Sequence, residues 1–207
     1  MDWHLIAAVL VTMAASYLLG CCNTSIVISK YVLRDDVRNH GSGNAGLTNF
    51  YRVFGKQKIL LVILADVLKT VIAVLAGAAL FHWAGSDPII GKLLGGLLCM
   101  VGHMFPFQFE FKGGKGVLAG GTMACFMGWK VAVVVWGIFF LMVILTRFVS
   151  LGSVGAGVLY PISVGLVYQN LWYTLLALVA GGLLVWRHKD NIKRLLRGEE
   201  SKLKLHK

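Results

Sequence analysis

The chain has 207 residues, of which 57% are hydrophobic and only 14% charged, with a formal net charge of +11 and a mean hydropathy of +0.76. A soluble domain carries about 25% charged residues, so this composition, with apolar runs near bilayer length, excludes an ordinary soluble protein and indicates a polytopic membrane protein. On a soluble chain the positive charge would suggest nucleic acid; here positive-inside orientation and anionic headgroups explain it, and no nucleic-acid-binding motif is present.

Residues 5–29 form the first predicted span. Met1-Asp2-Trp3-His4 lacks the basic start of a cleaved signal peptide, so the span is read as retained. Residues 30–58 are a polar, basic, glycine-punctuated loop. Residues 59–81 form the second span and carry Asp66 and Lys69, expected to pair and brace the interior because charges inside a span are costly. A turn ending at Pro88 leads to the third span, residues 89–109. Residues 102–116 read GHMFPFQFEFKGGKG, the least membrane-like run inside the apolar chain. Residues 117–128 are apolar but would make a helix of only about 18 Å, against a hydrocarbon core of about 30 Å. Further spans are predicted over residues 131–146, 154–168 and 171–186, followed by a basic tail. Cys21, Cys22, Cys99 and Cys125 have no metal or redox spacing and are expected to be small buried apolar side chains.

Seventeen of the twenty lysines and arginines lie in residues 30–58, the central loop, Arg147 and the tail. Placing the N-terminus outside and the C-terminus in the cytoplasm puts all of them on the cytoplasmic face. That arrangement requires residues 117–128 and 131–146 either both to cross or to form a re-entrant hairpin. The expected fold is therefore all-α: a seven-helix transmembrane bundle with a short or re-entrant helix at 117–128, in one polytopic domain spanning residues 1–207.

Three polar segments then share one face. The first is HGSGNAGLTN, residues 40–49, where glycines expose backbone N–H groups and Ser42, Asn44, Thr48 and Asn49 add donors. Arg52, three residues on, can hold a phosphate bidentately. The second is Lys112-Gly113-Gly114-Lys115-Gly116 ahead of a helix, where free N–H groups and the helix dipole favour an anion. Gly116 follows Lys115 where a nucleotide-binding P-loop has Ser or Thr, which argues against nucleotide hydrolysis. His103 reads equally as a structural donor or a catalyst. In the third, the tail from His188, helical spacing puts His188, Asn191 and Leu195 on one face. Ser150 and Ser153 are further candidate phosphate donors.

GSGNAGLTN at residues 41–49, GHMFPFQFEFKGGKG at 102–116, HKDNIKRLLRGEESK at 188–202 and DVLKT at 66–70 together resemble the bacterial acyl-phosphate:glycerol-3-phosphate acyltransferase family (PlsY-type). The resemblance covers nearly the whole chain. Two departures are visible: Ala45 stands where proline is common, and Thr70 where glycine often follows the lysine. Neither removes a functional group. The resemblance implies acyl transfer from acyl phosphate to the 1-hydroxyl of sn-glycerol 3-phosphate, giving lysophosphatidic acid and phosphate for phospholipid synthesis. It implies no acyl carrier protein or CoA and a cytoplasmic-face site in the bacterial inner membrane; no cofactor is expected, and the nine scattered acidic residues offer no metal site. A monomer is the working expectation.

Catalytic roles are expected for Ser42, Arg52, Lys112, His188 and Asn191. Substrate binding is expected of Gly43, Asn44, Gly46, Thr48, Asn49, Gly113, Gly114, Lys115, Gly116, Ser150, Ser153 and Lys193. His82 and Asp87 have the HxxxxD spacing of a different glycerolipid acyltransferase class, but they fall on the outer face and are read as a turn. The rival function is a membrane transporter of a phosphorylated solute, which would place its charges near the midplane and often repeat its halves. No repeat is visible.

Overall fold

The computed structural model describes residues 2–203; Met1 and the tail lysines Lys204 and Lys207 lie outside the described residues. Every regular element among the described residues is helical. The chain divides into two compact units, Met1–Met123 and Ala124–Lys207. The first holds α1 (Trp3–Cys21), α2 (Thr24–Val27, continued by a π turn over Ile28–Val32), α3 (Leu47–Phe54), α4 (Ile59–Trp83) and α5 (Pro88–Met104). The second holds α7 (Trp129–Thr146), α8 (Val149–Tyr168), α9 (Leu171–Arg187) and α10 (Lys189–Leu196), with α6 (Val117–Phe126) running through the boundary.

Five segments are long and apolar enough to cross a bilayer: Trp3–Val32, Ile59–Trp83, Pro88–Phe109, Trp129–Thr146 and Val149–Tyr168. A sixth results if α9 and α10, bent by 55° at their junction, are taken together. The segment expected over 117–128 is a helix of 10 residues, about 15 Å long.

α4 is inverted relative to a soluble helix. Leu60, Leu64, Leu68 and Leu75 point outward, while Asp66, Lys69 and Thr70 are buried. Lipid tails accept leucine as readily as a protein core does, so the polar side chains decide which face turns inward. The expected ion pair forms, with Lys69 Nζ 2.7 Å from Asp66 Oδ1.

The first span is not one continuous helix. α1 ends at Cys21, and Asn23 caps α2 by accepting the Ile26 N–H at 3.2 Å. Such a break exposes carbonyls that lipid cannot satisfy. Lys69 Nζ donates to two of them, Cys22 O at 3.0 Å and Gly20 O at 3.3 Å. Gln108 Nε2 donates to the third, Cys21 O, at 2.8 Å.

With no water-driven force between the helices, close backbone approach supplies their packing. Added Cβ atoms show where side chains have no room. One on Gly20 would strike the Cys99 carbonyl, one on Gly102 the Tyr17 carbonyl, and one on Gly77 or Gly91 the other's carbonyl. In the second unit Gly157 and Gly181 bring α8 against α9 in the same way. Of the cysteines, Cys21 and Cys99 are buried as expected, but Cys22, at the break after α1, and Cys125, on α6, are exposed; a small apolar thiol is equally compatible with lipid. Asp87 of the HxxxxD pair caps α5 by accepting the Ile89 N–H at 2.9 Å, as a turn residue does.

Gly91→Val is expected to separate α4 from α5 and to destabilise the protein by at least the ~1–3 kcal/mol of an overpacked core. A thermal melt in detergent measures this; an unchanged Tm would show that the contact yields freely.

Candidate active site

The first polar segment is shaped by Asn49. Its Oδ1 accepts the Ser42 N–H at 2.9 Å, and its Nδ2 donates to Val37 O at 3.1 Å and His40 O at 3.0 Å. Asn49 is 2% exposed and its amide works within the loop, so its contribution is to shape the turn. The turn closes with Gly43 N–H on His40 O at 3.0 Å. Gly41 and Gly43 have φ of 59° and 68°, a region where other residues are strained. Ser42 stands exposed at the tip. Gly46 precedes α3 as its N-cap, and Asn44 Oδ1 would meet a Cβ on Gly46 at 2.9 Å. Thr48 sits half-buried in the first turn of α3, and Arg52 is exposed one turn later.

The second segment is tied to the first. Arg38 donates through Nη1 to Phe109 O at 3.1 Å and lies over the Phe109 ring. Arg38 is itself oriented by Asp36 at 2.7 Å. Hydrogen bonding from Arg38 holds the Asp36 carboxyl below its ordinary value, against the opposing effect of burial. Beneath this link Ile26, Val37, Ala45, Phe50, Val62 and Phe109 form one apolar cluster. The two polar loops therefore share a common base.

The glycines of the second loop do something other than expected. Gly113 N–H donates to Met104 O at 3.1 Å and Gly114 N–H to His103 O at 3.0 Å. These two amides close the loop onto the end of α5 and are not presented to an anion. A Cβ on Gly113 would strike the His103 carbonyl, and one on Gly114 would strike His103 Nε2. Gly116, at φ 75°, would meet Met100 Cγ at 2.5 Å and Met104 Cε at 2.8 Å. Close packing explains all three glycines. Lys115 is half-buried between them at the start of α6. Lys112 is exposed, with Nζ 2.7 Å from Glu110 Oε2. Its hydrogen bond holds the Glu110 carboxyl below the usual range.

The second unit assembles its own cluster. At the α9–α10 bend the His188 N–H bonds Val185 O at 2.9 Å. Leu184 O is instead within 2.8 Å of His188 Nδ1. A carbonyl only accepts, so Nδ1 carries the proton and the lone pair of the neutral ring lies on Nε2. His188 is 3% exposed and Asn191 8%. Asn191 Nδ2 donates to Glu200 Oε1 at 2.6 Å, Ser150 Oγ to the same oxygen at 2.8 Å, and Arg194 Nε to Glu200 Oε2 at 2.7 Å. Leu203 N–H on Arg147 O at 2.8 Å pins the tail beside this cluster. Ser153 Oγ turns back onto Val149 O at 2.9 Å within its helix. Lys193 is exposed on α10.

Sequence reasoning missed Arg194 and Glu200. Glu200 reads as an exposed tail acid, yet its side chain is 7% exposed. Only its pairing across the chain to Ser150 and Asn191 brings it inside, and no local pattern signals that. Burial pushes its carboxyl up, but the hydrogen bonds from Asn191, Ser150 and Arg194 outweigh this and hold it below its ordinary value. A depressed carboxylate stabilises the fold above its unfolded pKa of about 4.3 and loses that contribution as pH falls through the folded value. Acidification below about pH 4.3 is therefore expected to lower the Tm of the unaltered protein more steeply than that of Glu200→Gln. Parallel acid profiles would show that the carboxylate adds nothing.

The family model described as Glycerol-3-phosphate acyltransferase matches residues 10–198. A glycerol-3-phosphate acyltransferase of Thermoanaerobacter pseudethanolicus is 35% identical over 192 residues, covering 93% of this chain and 94% of its own. One from Prochlorococcus marinus is 38% identical over 190 residues, covering 91% and 94%. The fold is similar to a crystal structure of PlsY, an integral membrane glycerol 3-phosphate acyltransferase, in its glycerol 3-phosphate form. The TM-score is 0.85 at 33% identity, over 95% of this chain and 96% of that one. The lysophosphatidic acid form of PlsY gives 0.82 at 32% identity. Matched along almost its entire length in both sequence and fold, the chain belongs to the glycerol-3-phosphate acyltransferase family.

Proposed function

We propose that the protein transfers a fatty acyl group from acyl phosphate to the 1-hydroxyl of sn-glycerol 3-phosphate, releasing 1-acylglycerol 3-phosphate and inorganic phosphate for phospholipid synthesis. The observation that carries this reading is the likeness, over 95% of the chain, to a structure in its glycerol 3-phosphate form. The same family membership weighs against a transporter.

The hydroxyl oxygen attacks the acyl carbon of the mixed anhydride, the carbon–oxygen bond to phosphate breaks, and phosphate leaves with its electron pair. Phosphate is a good leaving group, so positioning and charge stabilisation can supply much of the catalysis. Ser42 and Lys115 bind the donor phosphate, with Gly43, Asn44, Gly46, Thr48 and Asn49 forming the turn that carries Ser42. Gly113, Gly114 and Gly116 act by bringing Lys115 and the start of α6 into place. Arg52 and Lys112 bind glycerol 3-phosphate, Lys112 exchanging Glu110 for the substrate. Asn191 orients the acceptor, and Ser150 holds it through Glu200. Lys193 and Ser153 complete the substrate-binding set, Ser153 by releasing the Val149 carbonyl. The Nε2 lone pair of His188 accepts the hydroxyl proton; transfer to a phosphate oxygen of the donor is the competing route.

Purified protein in detergent, given acyl phosphate and glycerol 3-phosphate, is expected to release phosphate without acyl carrier protein or CoA. No release would refute the proposal. His188→Gln is expected to lower kcat by the ~10²–10⁴ of a lost base with KM little changed. A rise mainly in KM for glycerol 3-phosphate would make His188 a binding residue.

We further propose a single monomeric domain in the bacterial inner membrane, with seven crossings, the N-terminus outside and the site on the cytoplasmic face. Support comes from each unit separately. Arg38 and the central loop meet in one unit, and Arg147 meets the basic tail in the other. At the far end of the second unit Tyr168 OH donates to Met127 O at 2.9 Å. In this topology α6 makes the extra crossing as a short helix that thins the bilayer locally. With Cys22 and Cys125 replaced by alanine, Ser86→Cys is expected to react with an impermeant maleimide on intact cells, and Lys56→Cys only after permeabilisation. The opposite pattern would invert the topology.

A further inference from the structure

His103 has no task in this mechanism, yet it is gripped from several directions. It lies at the end of α5 and is 6% exposed. Its carbonyl accepts from Gly114 N–H at 3.0 Å and from Asn23 Nδ2 at 3.2 Å. Its Nδ1 is 3.1 Å from Lys69 Nζ. Its opposite edge packs on Gly114, where a Cβ would fall on Nε2 and lie 2.9 Å from Cδ2 and 3.0 Å from Cε1. The turn that leads into Lys115 thus rests on His103 through backbone and ring together.

The neighbours of Lys69 fix the protonation of that ring. Asp66 Oδ1, Cys22 O and Gly20 O are all acceptors. An ammonium has three protons and no lone pair. Its three protons are shared among these three oxygens and Nδ1 of His103; facing a group with no lone pair, Nδ1 can only accept, and the ring proton lies on Nε2. Asp66 Oδ1 is 3.8 Å from Nδ1, beyond hydrogen-bond reach, with Lys69 closer to both. The other titratable groups on this part of the unit are Tyr17 and Cys21 on α1, Cys99 on α5 and Lys115 in the loop. Tyr17 OH donates to Phe105 O at 2.9 Å, and Cys99 Sγ lies 3.8 Å from Thr70 Oγ1.

We propose that buried Lys69 holds His103 as the neutral Nε2–H tautomer, and that His103 in this form is a positioning residue for the Gly113–Gly114 turn and, through it, for Lys115. It touches no substrate. A proton on Nδ1 would confront the Lys69 ammonium directly and push the ring against Gly114, which has no space to give. The proposal rests on the reading of residues 112–116 as the phosphate-handling loop.

Two experiments test it. In the full chain in detergent micelles, labelled with ¹⁵N-histidine, the His103 signals are assigned by their loss in His103→Gln. Nδ1 is expected to be unprotonated and Nε2 protonated from about pH 5 to about pH 8, the range where an ordinary histidine titrates. A proton on Nδ1, or an ordinary titration, overturns the proposal without needing any variant to stay active.

The second experiment uses Lys69→Gln, which leaves Asp66 as the nearest charge to His103. The ring is then expected to take up a second proton, adding an acid limb to the pH profile of KM for acyl phosphate or glycerol 3-phosphate, measured separately, while kcat moves less. His103→Gln, which retains an N–H on the Gly114 side, is expected to keep that KM about tenfold closer to the original than His103→Leu. Equal KM and kcat in the two His103 variants, or an unshifted profile in Lys69→Gln, would reduce His103 to a packing residue. Failure of the unaltered protein to release phosphate would remove the loop reading and the positioning role with it, while the tautomer result would stand on its own.

Discussion

The first unit depends on one buried ammonium. Lys69 enters the gap where α1 breaks and donates to Gly20 O and Cys22 O, carbonyls that lipid could not satisfy. Its charge is balanced by Asp66 one turn away, and its remaining contact reaches His103. α1, α4 and α5 all meet at this ammonium, and the central loop is bound to the last of them. Removing one member of such a pair leaves an unpaired buried charge, a loss of about 3–5 kcal/mol. The same contacts fix the end of α5, onto which the Gly113 and Gly114 amides close.

Glycine has two different uses in this protein. At Gly41 and Gly43 the left-handed backbone makes the turn that presents Ser42. At Gly113 and Gly114 it permits contact with the end of α5. The glycine-rich appearance of both loops suggests the same anion cradle, but in the second loop the amides of Gly113 and Gly114 already have carbonyl partners. What that loop gains from its glycines is a close, rigid seat on the end of α5.

Among the described residues, the two buried histidines are set in opposite tautomers by their neighbours. A carbonyl at Nδ1 leaves His188 with an acceptor at Nε2, while an ammonium at Nδ1 leaves His103 with a donor there. The first suits proton abstraction and the second suits a support. This difference follows from what lies 3 Å away, and the imidazole itself is the same in both places.

Sequence alone determined that the chain is helical and membrane-embedded, because a 14% charge content and long apolar runs leave no other solution in lipid. It also determined the interior pairing of Asp66 with Lys69, since i,i+3 spacing and the cost of isolated charge force them together, and the family, through motifs in order along the chain. Tertiary structure decided what each polar group does. The break at Cys22–Asn23 lay inside a stretch read as one continuous span and is stabilised by groups from α4 and from the segment after α5. Asn49 turned out to shape its loop, and Glu200 to sit among Ser150, Asn191 and Arg194. Apolar patterning records only whether a stretch prefers lipid. The partner of a hydrogen bond is set by chain segments up to 88 residues apart, and only folding brings those together.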